Sequence, residues 1–95
     1  MDPKSIIREE IKRQAEVKGF TTAERKNNKG QVDLYITTEQ SRIKITSVVS
    51  VLEENSIRVD YVTLQGNATN EVKTADECIQ LLVKIKKSIL EAKFT

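Results

Sequence analysis

Four carboxylates (Asp33, Glu53, Glu54 and Asp60) and one thiol (Cys78) are the residues of this chain best suited to chemistry. Two carboxylates brought together by folding would be the minimum for general acid–base work. Cys78 falls in the first turn of an expected helix, where the helix dipole lowers a thiol pKa and favours the thiolate nucleophile. Both features have plainer readings. Carboxylates in and beside strands usually stay in water, where they solubilise a sheet face or a turn. Cys78 also lies on an apolar stripe, and free cysteine is among the most buried residue types, so an inert thiol is the better reading. The chain has no histidine, which removes the commonest general base and metal ligand. One cysteine without histidine excludes the usual zinc sets and a Cys–His nucleophile pair. Gly19, Gly30 and Gly66 are scattered at element ends and build no phosphate loop, and the acids show no EF-hand spacing. The expectation is a protein that is not an enzyme, with no cofactor and no metal.

At 95 residues the chain has room for a single domain spanning 1–95. There is no tryptophan, so the core must come from Ile, Val and Leu, with Phe20, Tyr35, Tyr61 and Phe94 as its aromatic candidates. The net charge of +2, with both signs interspersed, makes no strong field for nucleic acid or membrane. No apolar run is long enough to span a bilayer. Asp2, Pro3, Lys4 and Ser5 lead directly into a charged helix rather than a secretory signal, and the lone cysteine has no disulfide partner within the chain. The expected setting is intracellular and reducing, hence cytoplasmic.

The elements that would position these residues follow from periodicity. Residues 3–18 predict a helix, with Asp2 as N-cap and Pro3 at the first helical position. Ile7, Ile11 and Ala15 make its apolar face, widened by Ile6 and Val17. Gly19 suits a left-handed helix end, with Phe20 folding back near Ala15. Residues 20–26 predict a short edge strand or a loop, and Asn27–Gly30 a turn that sets Arg25 opposite Asp33. Residues 31–38 alternate as a half-buried strand. A four-residue link at 38–41 would pair Ile36 with Ile43 and Leu34 with Ile45.

The centre of the chain is RIKITSVVSVL, then EEN, then SIRVDYVTLQ. Ile43, Ile45, Val49 and Val51 share one face of the first strand, and Ile57, Val59 and Tyr61 one face of the second. Only an odd offset joins the two sets, because a one-residue slip turns every side chain over. A three-residue loop, Glu53–Asn55 with Asn55 left-handed, supplies it. Residues 66–73 read as a loop by composition. Thr74–Glu77 is a capping box for a second helix, whose stripe runs through Cys78, Leu81, Leu82, Ile85, Ile89 and Ala92. Lys93 complements its negative end.

The expected fold is α+β in two layers: a helix, an antiparallel meander of three to four strands, and a helix, with both helices on one face. That order of elements is similar to the order in small secretion-chaperone-type domains. The other face of the sheet would carry Tyr35, Arg42, Lys44, Val48, Arg58, Val62 and Leu64. Aromatics and arginine are enriched where proteins meet, so these seven are the candidate protein-binding residues. An ordinary antiparallel sheet with a few exposed apolar side chains accounts for them as well. If the face binds, a homodimer through it or through an open edge strand is the simplest arrangement. The leading expectation is thus a protein-interaction module: adaptor, chaperone or inhibitor. The alternative is a nucleic-acid-binding module using Lys84, Lys86, Lys87 and Lys93 with Arg8, Lys12, Arg13 and Lys18. Interleaved glutamates and the scarcity of aromatics for base stacking weigh against it.

Overall fold

The computed structural model describes residues 2–40 and 42–94, with side chains through Glu91. The places expected for Ala92, Lys93 and Phe94 as side chains lie outside the described residues. The order is α1 (Pro3–Val17), β1 (Thr21–Lys26), β2 (Val32–Gln40), β3 (Ile43–Glu53), β4 (Ser56–Thr63), β5 (Gly66–Val72) and α2 (Ala75–Phe94). The fold is α+β. Its antiparallel sheet has five strands in chain order, not three or four.

The additional strand is β5, expected as a loop. Its sequence, GNATNEV, lacks the apolar alternation of a half-buried strand. An edge strand needs it less: only Ala68 and Val72 are half-buried, and the rest of β5 is exposed. Polar edges also discourage pairing with other chains. β1 is the opposite edge, and Arg25 stands opposite Asp33 as the turn chemistry requires. The Asn27 side chain closes that turn by accepting from the backbone N–H groups of Lys29 and Gln31.

Both helices are capped as their sequences imply. Asp2 Oδ1 accepts from the Lys4 N–H at 3.1 Å. Gly19 takes φ 89°, and the Phe20 N–H returns to the Ala15 carbonyl at 3.0 Å. The Thr74 hydroxyl accepts from the Glu77 N–H at 3.1 Å and donates to Glu77 Oε1 at 3.3 Å, so the glutamate reaches back to the hydroxyl rather than to the Thr74 N–H. The stripe of α1 is narrower than its sequence suggests: Ile11 and Ala15 are buried, whereas Ile6 and Val17 are 53% and 74% exposed. On its wet side Arg13 binds Glu10, and the guanidinium's hydrogen bonds hold the Glu10 carboxyl below its ordinary range.

Leu34, Ile36, Val49, Val51, Ile57 and Val59 form one cluster with Ile11 and Ala15 of α1 and Cys78, Ile79 and Leu82 of α2. The two helices pack side by side over this face. The register that assembles it differs from expectation in two ways. First, β2 runs on to Gln40, which pairs with Ile43. Leu34 therefore meets Val49 rather than Ile45, and Ile36 meets Ser47 rather than Ile43. The slip is four residues, an even number, so every side chain keeps its face. The tight connection is closed by Arg42 at φ 71°.

Second, Val49 pairs with Val59 and Val51 with Ile57, as alternation demands. The odd offset does not come from a left-handed Asn55, whose φ is not positive. Glu53 pairs with Ser56 across a two-residue turn, and the register shifts between Val51 and Glu53. Leu52 is the extra residue of a β-bulge, which supplies the missing position.

Cys78 is fully buried in the cluster. Burial pushes its thiol from the ordinary 9.0 up to about 12. An unfolded thiol ionises at lower pH than the folded one, so this contribution to stability is whole below pH 9 and is lost as pH rises toward 12. The loss is about 1.4 kcal/mol per pH unit across that window. Urea unfolding between pH 8 and pH 11 is expected to show a steeper decline for the native chain than for Cys78→Ala. Parallel declines would mean that the thiol is not buried.

Candidate functional site

The sheet face away from the helices is bound together by polar contacts between strands. The Ser50 hydroxyl donates to Asp33 Oδ1 at 2.9 Å, and the Asn27 amide reaches the same carboxylate at 3.4 Å. Asp33 is only 9% exposed. Arg58 approaches Asp60 at 3.4 Å, and the Thr69 hydroxyl donates to Asp60 at 2.6 Å. Thr37 and Thr46 share a hydrogen bond of 3.0 Å. Tyr35 lies beside Val48, with the Arg25 guanidinium over its ring at 5.2 Å. The middle of this face therefore satisfies itself. Tyr35, Val48 and Arg58 stand on it as expected, each with partners inside the sheet.

One end of the sheet behaves differently. The β3–β4 ladder stops at Val48–Asp60. Beyond it, Ile43–Ser47 pairs only with β2, and Tyr61–Thr63 only with β5. Two hairpin tips thus part like the tines of a fork. Val62, 48% exposed, lines the opening on the outer face and again on the helix face. Toward the helix the opening is closed by Ile89 of α2 and Ile43 and Ile45 of β3. It continues into a cleft of about 300 Å³ between the β4–β5 tip and α2, where Leu64, Leu81, Ile85 and Ile89 make the apolar wall and Lys84 stands at the side. Apolar surface predominates, and three openings meet at one residue.

Two expected positions need correction. Arg42 is not on the sheet face; it forms the β2–β3 tip, because β2 extends to Gln40. Leu64 is not on that face either. Thr63 pairs with Gly66, so Leu64 occupies the turn, 63% exposed, and turns toward α2. Lys44 lies at the fork beside Arg42. Of the seven candidates, the structure gathers Arg42, Lys44, Val62 and Leu64 at the fork and leaves Tyr35, Val48 and Arg58 on the closed part of the sheet.

The fork also uses residues that sequence reasoning assigned to the core: Ile43, Ile85 and Ile89. Their types suit either place. The local signals were Val62 and Leu64, apolar residues without a place in the core. On the helices, Arg13 and Lys87 are engaged by Glu10 and Glu91, and the Lys86 ammonium sits over the Phe20 ring. Three of the eight cations named for the alternative reading thus have partners among the described residues. Among the described residues no three side chains of the His, Cys, Asp and Glu types gather in a way that could hold a metal ion, and no helix is long and apolar enough to cross a membrane. Comparison with protein-family models, with curated proteins and with solved structures gave no match.

Proposed function

We propose that this chain is a small cytoplasmic module that binds another protein through the forked end of its sheet and catalyses no reaction of its own. The observation that carries this reading is the convergence of exposed apolar residues, Val62 and Leu64, with the open flank of Ile89 at one opening. Large apolar side chains left together at the surface mark interaction sites more often than isolated ones do. A cleft of about 300 Å³ is at the lower limit for a small-molecule pocket, whereas an open, branching groove suits the side chains of a protein segment.

The test is a paired substitution, Val62→Glu with Leu64→Lys. Both residues are exposed, so stability is expected to stay within about 0.5 kcal/mol per site. Capture of partner protein from the native host's extract is expected to disappear, with a cooperative urea transition of unchanged slope certifying the fold. Capture that persists undiminished would remove this end of the molecule from consideration.

A further inference from the structure

Resting on that reading, we infer that the partner enters as an extended strand, apolar at alternate positions and flanked by carboxylates, which adds to the free side of Ile43–Ser47. Three observations lead there. The first is the backbone. Ile43–Ser47 is regular strand with a ladder partner on one side only, although it lies in an interior strand of the sheet. A free strand side offers a row of N–H and C=O groups, which an incoming strand satisfies.

The second is the alternation of the walls. Ile43 and Ile45 line the opening with Ile89 on the helix side, Thr46 lines it with Val62 on the outer face as well, and Lys44 lies at its mouth beside Arg42. A strand laid along them would place every second side chain into the apolar cleft. The intervening ones would lie beside Lys44.

The third is charge. Arg42 and Lys44 stand at the tip of one tine, and Lys84 of α2 lines the adjoining cleft beneath the other. Asp60, the nearest carboxylate of β4, is already engaged by Arg58 and Thr69. Glu39, opposite Lys44 on β2, is the acidic group left at that tip. Glu39 offsets part of the Lys44 charge, but Arg42, Lys44 and Lys84 form no ion pair among the described residues, so the charge around the opening is net positive and favours acidic flanks. Arg42 adds weight to this. Its φ of 71° is left-handed backbone that glycine or asparagine adopts readily. An ordinary side chain pays about 1–2 kcal/mol there, and such strain collects at functional positions.

The probe is the acetylated peptide Glu-Glu-Val-Thr-Val-Thr-Val-Glu-Glu, titrated into the full chain labelled with nitrogen-15. Amide shifts are expected at Ile43–Ser47 and Val62. Methylating alternate backbone nitrogens of the same peptide is expected to abolish binding in the phase whose N–H groups face Ile43–Ser47, since that peptide cannot complete a ladder. Replacing its glutamates by lysines, or combining Arg42→Gly with Lys44→Glu in the protein, is expected to weaken binding by roughly tenfold or more. Absence of shifts at millimolar peptide, shifts confined to other residues, or equal binding by the peptide methylated in that phase or by the lysine-flanked peptide would overturn the inference. So would light scattering that shows a dimer dispersed by Val62→Glu, because the fork would then belong to a second copy. Host-extract capture that still depends on Val62 and Leu64 would leave the broader reading standing in each of these cases; capture independent of them would remove both.

Discussion

Val59→Asp is expected to yield no folded protein, while Asp60→Val, the next residue along the same strand, is expected to fold. Val59 is fully buried between Val49 and Asn70, on the face that the helices cover. Removing its methyls and leaving a carboxyl there without a partner together cost about 5–8 kcal/mol. A domain of this size has only about 5–15 kcal/mol in all. Protonating the carboxyl would spare the charge but still leave a polar group unsatisfied among hydrocarbons. Asp60 faces the other way. Its contacts with Arg58 and Thr69 are washed by solvent, and losing them costs about 1 kcal/mol or less, partly offset by valine's preference for strands. Circular dichroism and dispersed methyl resonances separate the two outcomes. A folded Val59→Asp with the native midpoint would mean that the sheet's faces are assigned the wrong way round.

Leu34→Ala is expected to lose about 3 kcal/mol, in the lower half of the range for leucine truncations in packed cores. Leu34 is fully buried, second in the row Glu24–Leu34–Val49–Val59–Asn70, which crosses all five strands. Its neighbours on both sides are held by ladders and cannot close over the gap. In urea, with a slope near 1.5 kcal/mol per molar, the midpoint is expected to fall by about 2 M with no change of slope. A fall of under 0.5 M would show that the helices settle into the space, and that the layer is softer than its packing implies.

The two faces of the sheet are legible in the sequence because alternation is a parity rule. Parity survived both departures in register, one an even slip and the other a bulge. What parity does not contain is the absolute pairing. That depends on whether a turn residue accepts a left-handed φ, and arginine at position 42 gives no sign that it will. It depends equally on where an extra residue is accommodated, and Leu52 looks like any other strand residue. β5 was hidden for a different reason: an edge strand has little apolar surface to bury, so its composition matches a loop. The site was legible residue by residue but not as an arrangement. Val62 and Leu64 stood out as apolar residues without a core role, and Arg42 and Lys44 as cations near them. Their meeting with Ile89 depends on where two hairpins diverge, a long-range property of twist and packing with no local signature.

The sheet is laid down in the order in which the chain is written. Each strand finds its partner across a connection of a few residues, so every ladder forms at small entropic cost. The expensive closure is the seating of α2 beside α1, which joins opposite ends of the chain. Assembly is therefore expected to proceed by zipping of neighbouring hairpins, with the C-terminal helix arriving last as a lid. Until it does, the partly built sheet shows a greasy underside to its surroundings, and a chain interrupted before residue 75 would be retained by chaperones rather than released.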